Sequence, residues 1–176
     1  MQNITQKTLK KTEFETVLGI MVAIGDEHVL YLLEFTDKPK LEHEIQKLQT
    51  TLNALITGGC TKPIASIQNE LALYFAGTLI QFKTPVQLVG SPFQKTVWQE
   101  LCNTPYGQTR SYKDQATVIG NEKACRAVGN TNGTNQLVII VPCHRIITTN
   151  GKLGGYSCGI ARKQWLLNHE KRFKAL

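Results

Sequence analysis

Two short apolar segments near the start of the chain have the composition of β-strands. They cover residues 18–25 and 29–35, and the polar residues 26–28 separate them. Strand-forming runs joined by a few polar residues are typical of adjacent antiparallel strands. The pattern therefore predicts a β-hairpin.

Helical spacing follows the hairpin. Residues 41–55 and 64–75 place apolar side chains three and four positions apart, with an interruption at residues 61–63. Such spacing gives a helix one buried face. We predict that residues 1–88 form a small α/β domain. We interpret this domain as a scaffold, because its sequence holds no recognisable set of catalytic residues.

A second domain is predicted over residues 89–176, because Pro85 and Gly90 mark a change of pattern. Beyond this boundary, Ser91 stands three residues before Gln94 with a proline at the first helical position, which is the arrangement of a capping box. It predicts a helix. The buried face of that helix would comprise Phe93, Val97, Trp98, Leu101 and Cys102.

Two helices joined by a tight turn are predicted next. Ser111 can cap the first, over residues 112–119, and Asn121 can cap the second, over residues 122–131. The pair is a helix-turn-helix candidate. Small residues share one face of the second helix at spacings of three and four, namely Ala124, Ala127 and Thr131. That face suits either close approach to a nucleic-acid groove or packing against another helix.

The rest of the chain predicts a strand, a turn and a final helix. Five aliphatic residues, 137–141, predict a buried strand that ends at Pro142. Asn150 and Gly151 predict a hairpin turn, as in the wing of a winged helix. An amphipathic helix that contains Glu170 closes the chain.

Charge is divided unevenly between the two predicted domains. Residues 1–90 carry 8 Lys and Arg against 9 Asp and Glu, a net charge of −1, whereas residues 91–176 carry 12 against 4, a net charge of +8. A basic half indicates a polyanionic partner such as nucleic acid, or a solvated surface that favours solubility.

The composition indicates a soluble protein without a membrane span. No apolar run reaches the roughly 18 residues that a transmembrane helix needs, and the polar first residues lack a secretory signal. Five cysteines without CxxC spacing and four scattered histidines predict neither a disulfide framework nor a metal site. We expect no cofactor, and a cytoplasmic location, or a nuclear one in a eukaryote.

Cys143 is the candidate nucleophile. It follows the predicted strand and precedes His144 and Arg145. The thiolate is the reactive form of cysteine, and nearby positive charge lowers a thiol pKa from about 8.5. A small buried side chain without chemistry is an equally good interpretation of the pattern alone.

The residues around Cys143 resemble a known family. Pro142-Cys143-His144-Arg145 is similar to the active-site signature of the O6-alkylguanine-DNA alkyltransferases, also called methylated-DNA–protein-cysteine methyltransferases. The segments SPFQKTVWQELCNTPYGQTRSY, ACRAVGNTNGTN, GGYS and KQWLLNHE are similar to the family in content, order and spacing, over nearly all of residues 90–172. The resemblance implies a ribonuclease H-like N-terminal domain and a winged helix-turn-helix-like C-terminal domain.

The resemblance also implies a chemistry. Cys143 would accept an alkyl group from O6 of guanine in DNA, irreversibly and once per molecule. His144, assisted by Glu170 and a bound water, would take the thiol proton. Asn135 would stabilise the turn before the acceptor. Activity on O4-alkylthymine is left open.

DNA binding follows from the same resemblance. The recognition helix would lie in the minor groove of double-stranded DNA with weak sequence specificity, and Arg126 would enter the base stack while the damaged nucleotide rotates out. Tyr112 would hydrogen-bond the extruded base. The pocket for that base would also include Ile146, Tyr156, Ser157 and Cys158. We expect a monomer and leave cooperative assembly on DNA open.

Two departures and three rival functions accompany this interpretation. Many relatives carry glycine at the position of Cys158, and the first half lacks the Cys and His set with which some members bind zinc. The rivals are a DNA-binding regulator without a reactive thiol, a damage sensor that lacks the acceptor cysteine, and a Cys-His hydrolase with multiple turnover. Cys143 is present, which disfavours the damage sensor.

Overall fold

A four-stranded sheet forms the first half of the molecule in the computed structural model, which describes residues 6–174. The strands are β1 (Lys7–Thr16), β2 (Gly19–Gly25), β3 (Leu30–Phe35) and β4 (Ala54–Gly58), in the order β3-β2-β1-β4. Neighbours are antiparallel except β1 and β4, which are parallel. The predicted hairpin is confirmed as β2 and β3.

Helices cover both faces of this sheet. They are α1 (Leu41–Leu52) and α2 (Lys62–Phe75). Successive residues of β2 point to opposite faces, so that Val22 joins the apolar cluster containing residues of α1, while Met21 joins the cluster containing residues of α2. The sheet is therefore the middle layer of a mixed α/β fold.

The first helix ends earlier than its apolar spacing predicts. Asn53 adopts a left-handed conformation with φ of 47° and stops α1, after which the chain enters β4. Neither β4 nor β1 was indicated by the pattern. Leu9 is the single buried side chain of β1, and most other residues of this strand are lysine, threonine or glutamate. The sequence of β1 therefore has no apolar pattern that would indicate a strand.

Four α-helices lie in the described part of the second half, residues 89–174, and both predicted serine caps are confirmed. The helices are α3 (Pro92–Leu101), α4 (Tyr112–Val118), α5 (Cys125–Asn132) and α6 (Ile160–Phe173). Ser91 and Ser111 each accept a backbone hydrogen bond within a complete capping box. Asn121 caps nothing with its side chain, because a 3₁₀ turn, Glu122–Ala124, precedes α5.

The buried face of α3 is narrower than predicted. Val97, Trp98 and Leu101 are buried as expected, but Phe93 is 40% exposed and Cys102 is also exposed. Both lie at the ends of the helix, where the neighbouring layer no longer covers it.

The predicted strand over residues 137–141 is wrong. Ile139 has φ of 73°, and the Val141 amide donates to the Leu137 carbonyl, so the segment folds into a turn. Leu137 instead forms an isolated parallel bridge with Leu33 of β3. A run of aliphatic residues is compatible with a buried turn as well as with a buried strand. Its composition indicates that the segment is buried but not whether its backbone is extended.

This turn joins the two halves of the chain. The Leu33 amide donates to the Gln136 carbonyl at 2.8 Å, and the Val138 amide donates to the Leu33 carbonyl at 3.0 Å. The largest apolar cluster contains residues from both sides of the predicted boundary at residue 88. The segment that leads to Cys143 is thus attached to the edge of the sheet.

The region of the predicted wing contains a turn between short extended segments. The Thr148 amide donates to the Lys152 carbonyl at 2.9 Å around Asn150 and Gly151. Strands β5 (Arg110–Ser111) and β6 (Ile146–Ile147) pair in parallel beside it. Within residues 6–174, no helix is long and apolar enough to cross a membrane.

Candidate active site

Cys143 begins a 3₁₀ turn, Cys143–Arg145, and its thiol is held by an asparagine. Asn135 Nδ2 donates to Cys143 Sγ at 3.2 Å and to the Val141 carbonyl at 2.8 Å, while Asn135 Oδ1 accepts from the Leu137 amide at 3.0 Å. All these groups are buried. One amide side chain therefore closes the turn and fixes the thiol.

The thiol of Cys143 is protonated at neutral pH. Burial raises the pKa of Cys143 to about 11, and the hydrogen bond from Asn135 offsets only part of this effect. The net shift is opposite to the lowering expected from adjacent positive charge: Lys163 and Lys38 do lower this pKa, but burial outweighs them, Glu34 raises it, and Arg145 is bonded to Glu170. A nucleophile in this state needs a base.

Glu170 on α6 accepts hydrogen bonds from three separate parts of the chain. Its carboxylate accepts from both Nε and Nη2 of Arg145 at 2.9 and 3.0 Å, from the Tyr74 hydroxyl at 2.8 Å and from the Gly107 amide at 3.0 Å. Burial alone would raise the pKa of Glu170, but His144 and Arg145 hold it well below its ordinary value. Glu170 is therefore an ionised carboxylate.

His144 is poised as a neutral base. Its Nε2 lies 2.7 Å from Glu170 Oε1, and burial lowers the pKa of His144 although Glu170 opposes this effect. A neutral imidazole that donates from Nε2 to a carboxylate carries a lone pair on Nδ1. That Nδ1 is buried and forms no hydrogen bond with another atom of residues 6–174. It is available to accept a proton.

A cavity of about 140 Å³ opens beside Cys143. Tyr112 forms one wall, and its hydroxyl donates to the Gly155 carbonyl at 3.4 Å. Gly154 has φ of 69°, and a Cβ there would lie 3.0 Å from the Tyr112 ring, so the glycine permits the loop to pass close to it. The remaining lining residues are Gly129, Asn132, Gly133, Gly155, Tyr156 and Ser157.

Two predicted pocket residues do not line this cavity. Ile146 is buried, and its carbonyl accepts a hydrogen bond from Lys163 Nζ. Cys158 is also buried, and its Sγ donates to Glu34 Oε1 at 3.0 Å, on the sheet side of the loop. The alternation of side chains along the loop turns Ser157 toward the cavity and Cys158 away from it.

Lys163 is a site residue that sequence reasoning missed. Its side chain is buried, its Nζ also donates to the Gly155 carbonyl at 3.0 Å, and burial lowers the pKa of Lys163 to about 8. A signal was present in the sequence. Lys163, Leu166 and Glu170 follow spacings of three and four, which places the lysine on the buried face of α6.

Two of the three small residues predicted to share a face of the second helix are buried, which fits the packing alternative at those two positions. Ala124 packs in a cluster with residues of α3 and α4, and Thr131 is buried, with its carbonyl accepting from Trp98 Nε1 at 2.9 Å. Ala124 lies in the 3₁₀ turn before α5, which changes its angular position relative to Ala127. Arg126 and Ala127 are exposed.

Potential metal ligands are dispersed. In the described part of the chain, no group of three or more His, Cys, Asp or Glu side chains is arranged to hold a metal ion.

Comparison with known proteins gives the family. A family model described as 6-O-methylguanine DNA methyltransferase, DNA binding domain, matches residues 92–172. A methylated-DNA–protein-cysteine methyltransferase of Mycolicibacterium paratuberculosis is 40% identical over 163 residues, which are 91% of this chain and 93% of the relative. The chain belongs to this methyltransferase family. A second relative in the family, from Methanosarcina barkeri, is 47% identical over 158 residues, which are 89% of this chain and 94% of the relative.

Solved structures of this methyltransferase family have the same fold. The Mycobacterium tuberculosis O6-methylguanine methyltransferase has a TM-score of 0.80 and 36% identity, with 93% of each chain covered. M. tuberculosis OGT in complex with DNA has a TM-score of 0.79 and 36% identity, with 94% of each chain covered. The mixed α/β architecture is therefore that of the family over both halves of the chain.

Proposed function

We propose that this protein repairs DNA by transferring an alkyl group, mainly methyl, from O6 of guanine to Cys143, irreversibly and once per molecule. The observation that carries the proposal is the buried thiol at the wall of a cavity, next to a neutral histidine that an ionised carboxylate orients. Family membership supports the same chemistry. The DNA complex of the M. tuberculosis relative supports DNA as the partner.

The transfer is a single displacement at the alkyl carbon. The bond between Cys143 Sγ and that carbon forms as its bond to O6 breaks. The thiol proton passes through a water molecule to His144 Nδ1, while Glu170 stabilises the positive imidazolium. The departing guanine anion takes up one proton from water and the imidazolium later releases its proton to water, so in the overall balance the thiol proton replaces the alkyl group on guanine.

The damaged nucleotide must leave the base stack to reach this thiol. Unstacking costs a few kcal/mol, and a side chain that fills the vacated space offsets part of that cost. We assign this role to the exposed Arg126 on α5, and we assign Tyr112, at the wall of the cavity, to the extruded base. The net charge of +8 in residues 91–176 supports attraction to the phosphate backbone.

The finer architecture is part of the proposal. We assign residues 1–88 to a ribonuclease H-like scaffold domain and residues 89–176 to a winged helix-turn-helix-like domain that presents α5 to the minor groove. Because Ala124 and Thr131 are buried, we assign the contact surface of α5 to Arg126 and Ala127. A protein with this role acts as a monomer in the compartment that holds the DNA.

Mass spectrometry tests the proposed function. The protein is incubated with excess duplex oligonucleotide that contains one O6-methylguanine, and intact and peptide masses are measured. We expect one methyl group, on Cys143, and no further product after one equivalent. The Cys143→Ala variant is the matched control and should stay unmodified. Multiple turnover would indicate a hydrolase, and binding without an adduct would indicate a regulator; either result rejects the proposal.

A further inference from the structure

Cys158 links the loop beside the cavity to the sheet of the first half. It follows Ser157, which lines the cavity, and its Sγ donates to Glu34 Oε1 at 3.0 Å. Glu34 belongs to β3, where every side chain is buried. A contact between residues 124 positions apart thus determines where this loop rests.

Glu34 is part of a buried ion pair that reaches the other side of the site as well. Its Oε2 accepts from Lys38 Nζ at 2.6 Å, and Lys38 Nζ also bonds Glu44 at 2.9 Å. The same ammonium lies 3.5 Å from the carbonyl of Asn135, the residue that holds the acceptor thiol. One carboxylate–ammonium pair therefore contacts both the loop and the asparagine turn.

A buried carboxylate on a strand of apolar side chains is costly unless its charge and lone pairs are compensated. At Glu34 each oxygen has partners: Lys38 bonds Oε2, while Cys158 and the backbone amide of Phe35 bond Oε1. A loop that supplies one of these donors is held in place, since moving it would leave the Oε1 atom with a single donor.

We propose that Glu34 is a positioning residue, which orders the loop over residues 154–159 through its hydrogen bond to Cys158 and so sets how alkylated guanine enters the cavity beside Cys143. This inference rests on the proposed function. Cys158 accepts no alkyl group itself, because its thiol lies on the sheet side of the loop. Its position also means that the thiol does not narrow the cavity.

A role of Glu34 in positioning the loop should affect binding of the alkylated base and not the alkylation step. Loss of the bond between Cys158 and Glu34 loosens the loop but leaves Asn135, His144 and Glu170 in contact with their own partners. The concentration of base that half-saturates the reaction should therefore rise, while the limiting alkylation rate at saturation stays the same. A general loss of structure would lower both together.

Three variants test this inference with free O6-benzylguanine as the probe. For Cys158→Ala we expect the half-saturating concentration to rise about 3- to 10-fold, the effect of one hydrogen bond, with the limiting rate within about twofold. Cys158→Ser keeps a donor and should restore the wild-type value. Cys60→Ala removes an exposed thiol from the first half of the chain, is the matched cysteine control and should change nothing.

A double variant tests Glu34 itself. Glu34→Leu combined with Lys38→Met replaces the ion pair by apolar side chains of similar volume, and Glu44, which loses its contact with Lys38, is partly exposed to solvent, so the fold is retained. We expect the same rise in half-saturating concentration, and no further rise when Cys158→Ala is added. Additive effects, an unchanged half-saturating concentration in Cys158→Ala, or failure of serine to restore it would overturn the proposal.

Hydrogen exchange separates the two possible failures. Amides of residues 154–159 should exchange faster in Cys158→Ala than in the wild-type protein, and this measurement needs no alkylation. If the wild-type protein forms no adduct on Cys143, the proposed function fails. If the adduct forms but loop exchange does not change, the positioning role of Glu34 fails alone.

Discussion

The Tyr74 hydroxyl donates a 2.8 Å hydrogen bond to Glu170 Oε1, the same oxygen that lies 2.7 Å from His144 Nε2. Tyr74 belongs to α2, in the half of the chain whose sequence shows no catalytic residues. The scaffold half therefore contributes a donor to the acid–base pair. Glu34 contacts the loop on the other side of the cavity, so residues before position 88 contact both sides of the site.

Removing that donor should slow alkylation. In Tyr74→Phe, Glu170 loses a partner and His144 a well-oriented neighbour, so we expect the alkylation rate to fall about 3- to 10-fold and the free energy of unfolding to fall by about 1.5–3 kcal/mol. Quenched-flow alkylation and urea denaturation measure the two effects. Tyr31→Phe removes a hydroxyl bound to Asp26 on the opposite face of the sheet and should leave the rate unchanged. Equal rates for the two variants would contradict a role for Tyr74.

The pH dependence of alkylation should report His144. Because burial lowers the pKa of His144 below its ordinary value of 6.5, the imidazole is neutral at pH 7 and above. We expect the rate to be constant between about pH 6.5 and pH 7.5, below the pKa of about 8 of Lys163, and to fall in acid, as His144 takes up a proton.

A His144→Asn variant provides the contrast. Without a base, reaction would depend on free thiolate of Cys143, whose pKa is about 11. The rate of the variant should start far lower at neutral pH and rise about tenfold per pH unit. A wild-type protein that showed the same steep rise would not use His144 as its base.

Arg126 should matter for duplex DNA and not for the free base. In Arg126→Ala, we expect repair of an O6-methylguanine duplex to slow at least about 10-fold, because nothing fills the space that the extruded nucleotide leaves. Reaction with free O6-benzylguanine should be unchanged. Lys171→Ala removes an exposed charge from α6 and serves as the control. Equal losses on both substrates would exclude the role of Arg126 in the base stack.

Asn135 should be essential to the stability of the turn before Cys143. Asn135→Ala removes donors to Val141 and Cys143 and an acceptor for the Leu137 amide, so we expect the free energy of unfolding to fall by about 2–4 kcal/mol. Asn150→Ala, at an exposed turn, should lower it by less than about 1 kcal/mol. Urea denaturation distinguishes the two, and equal values would show that the turn is stable without Asn135.

Local chemistry made part of this fold predictable. The capping boxes at Ser91 and Ser111 and the β2–β3 hairpin depend on residues a few positions apart, and the sequence indicates them directly. The turn at residues 137–141 was missed because Ile139 adopts a left-handed conformation that side chains rarely take. Only its packing against β3 and the side chain of Asn135 make that conformation stable.

The pKa of the acceptor thiol and the long-range contacts of the site could not be predicted from the sequence. The Cys-His-Arg tripeptide indicates a lowered thiol pKa, yet the fold directs Arg145 to Glu170 and buries Cys143. The bond between Cys158 and Glu34 joins distant residues of no recognisable pattern, so no local signal could reveal it. Lys163 was the exception, because its helical spacing with Leu166 was visible.

The raised pKa of Cys143 affects how reactive this thiol is before substrate binds. A molecule that reacts once has a single thiol to lose, and soluble oxidants and electrophiles attack thiolates far faster than thiols. Burial keeps Cys143 in the thiol form, and in the proposed reaction its proton passes to His144 as the alkyl group is transferred. The burial that makes Cys143 a weak nucleophile therefore also protects it from oxidants and other electrophiles before it meets its substrate.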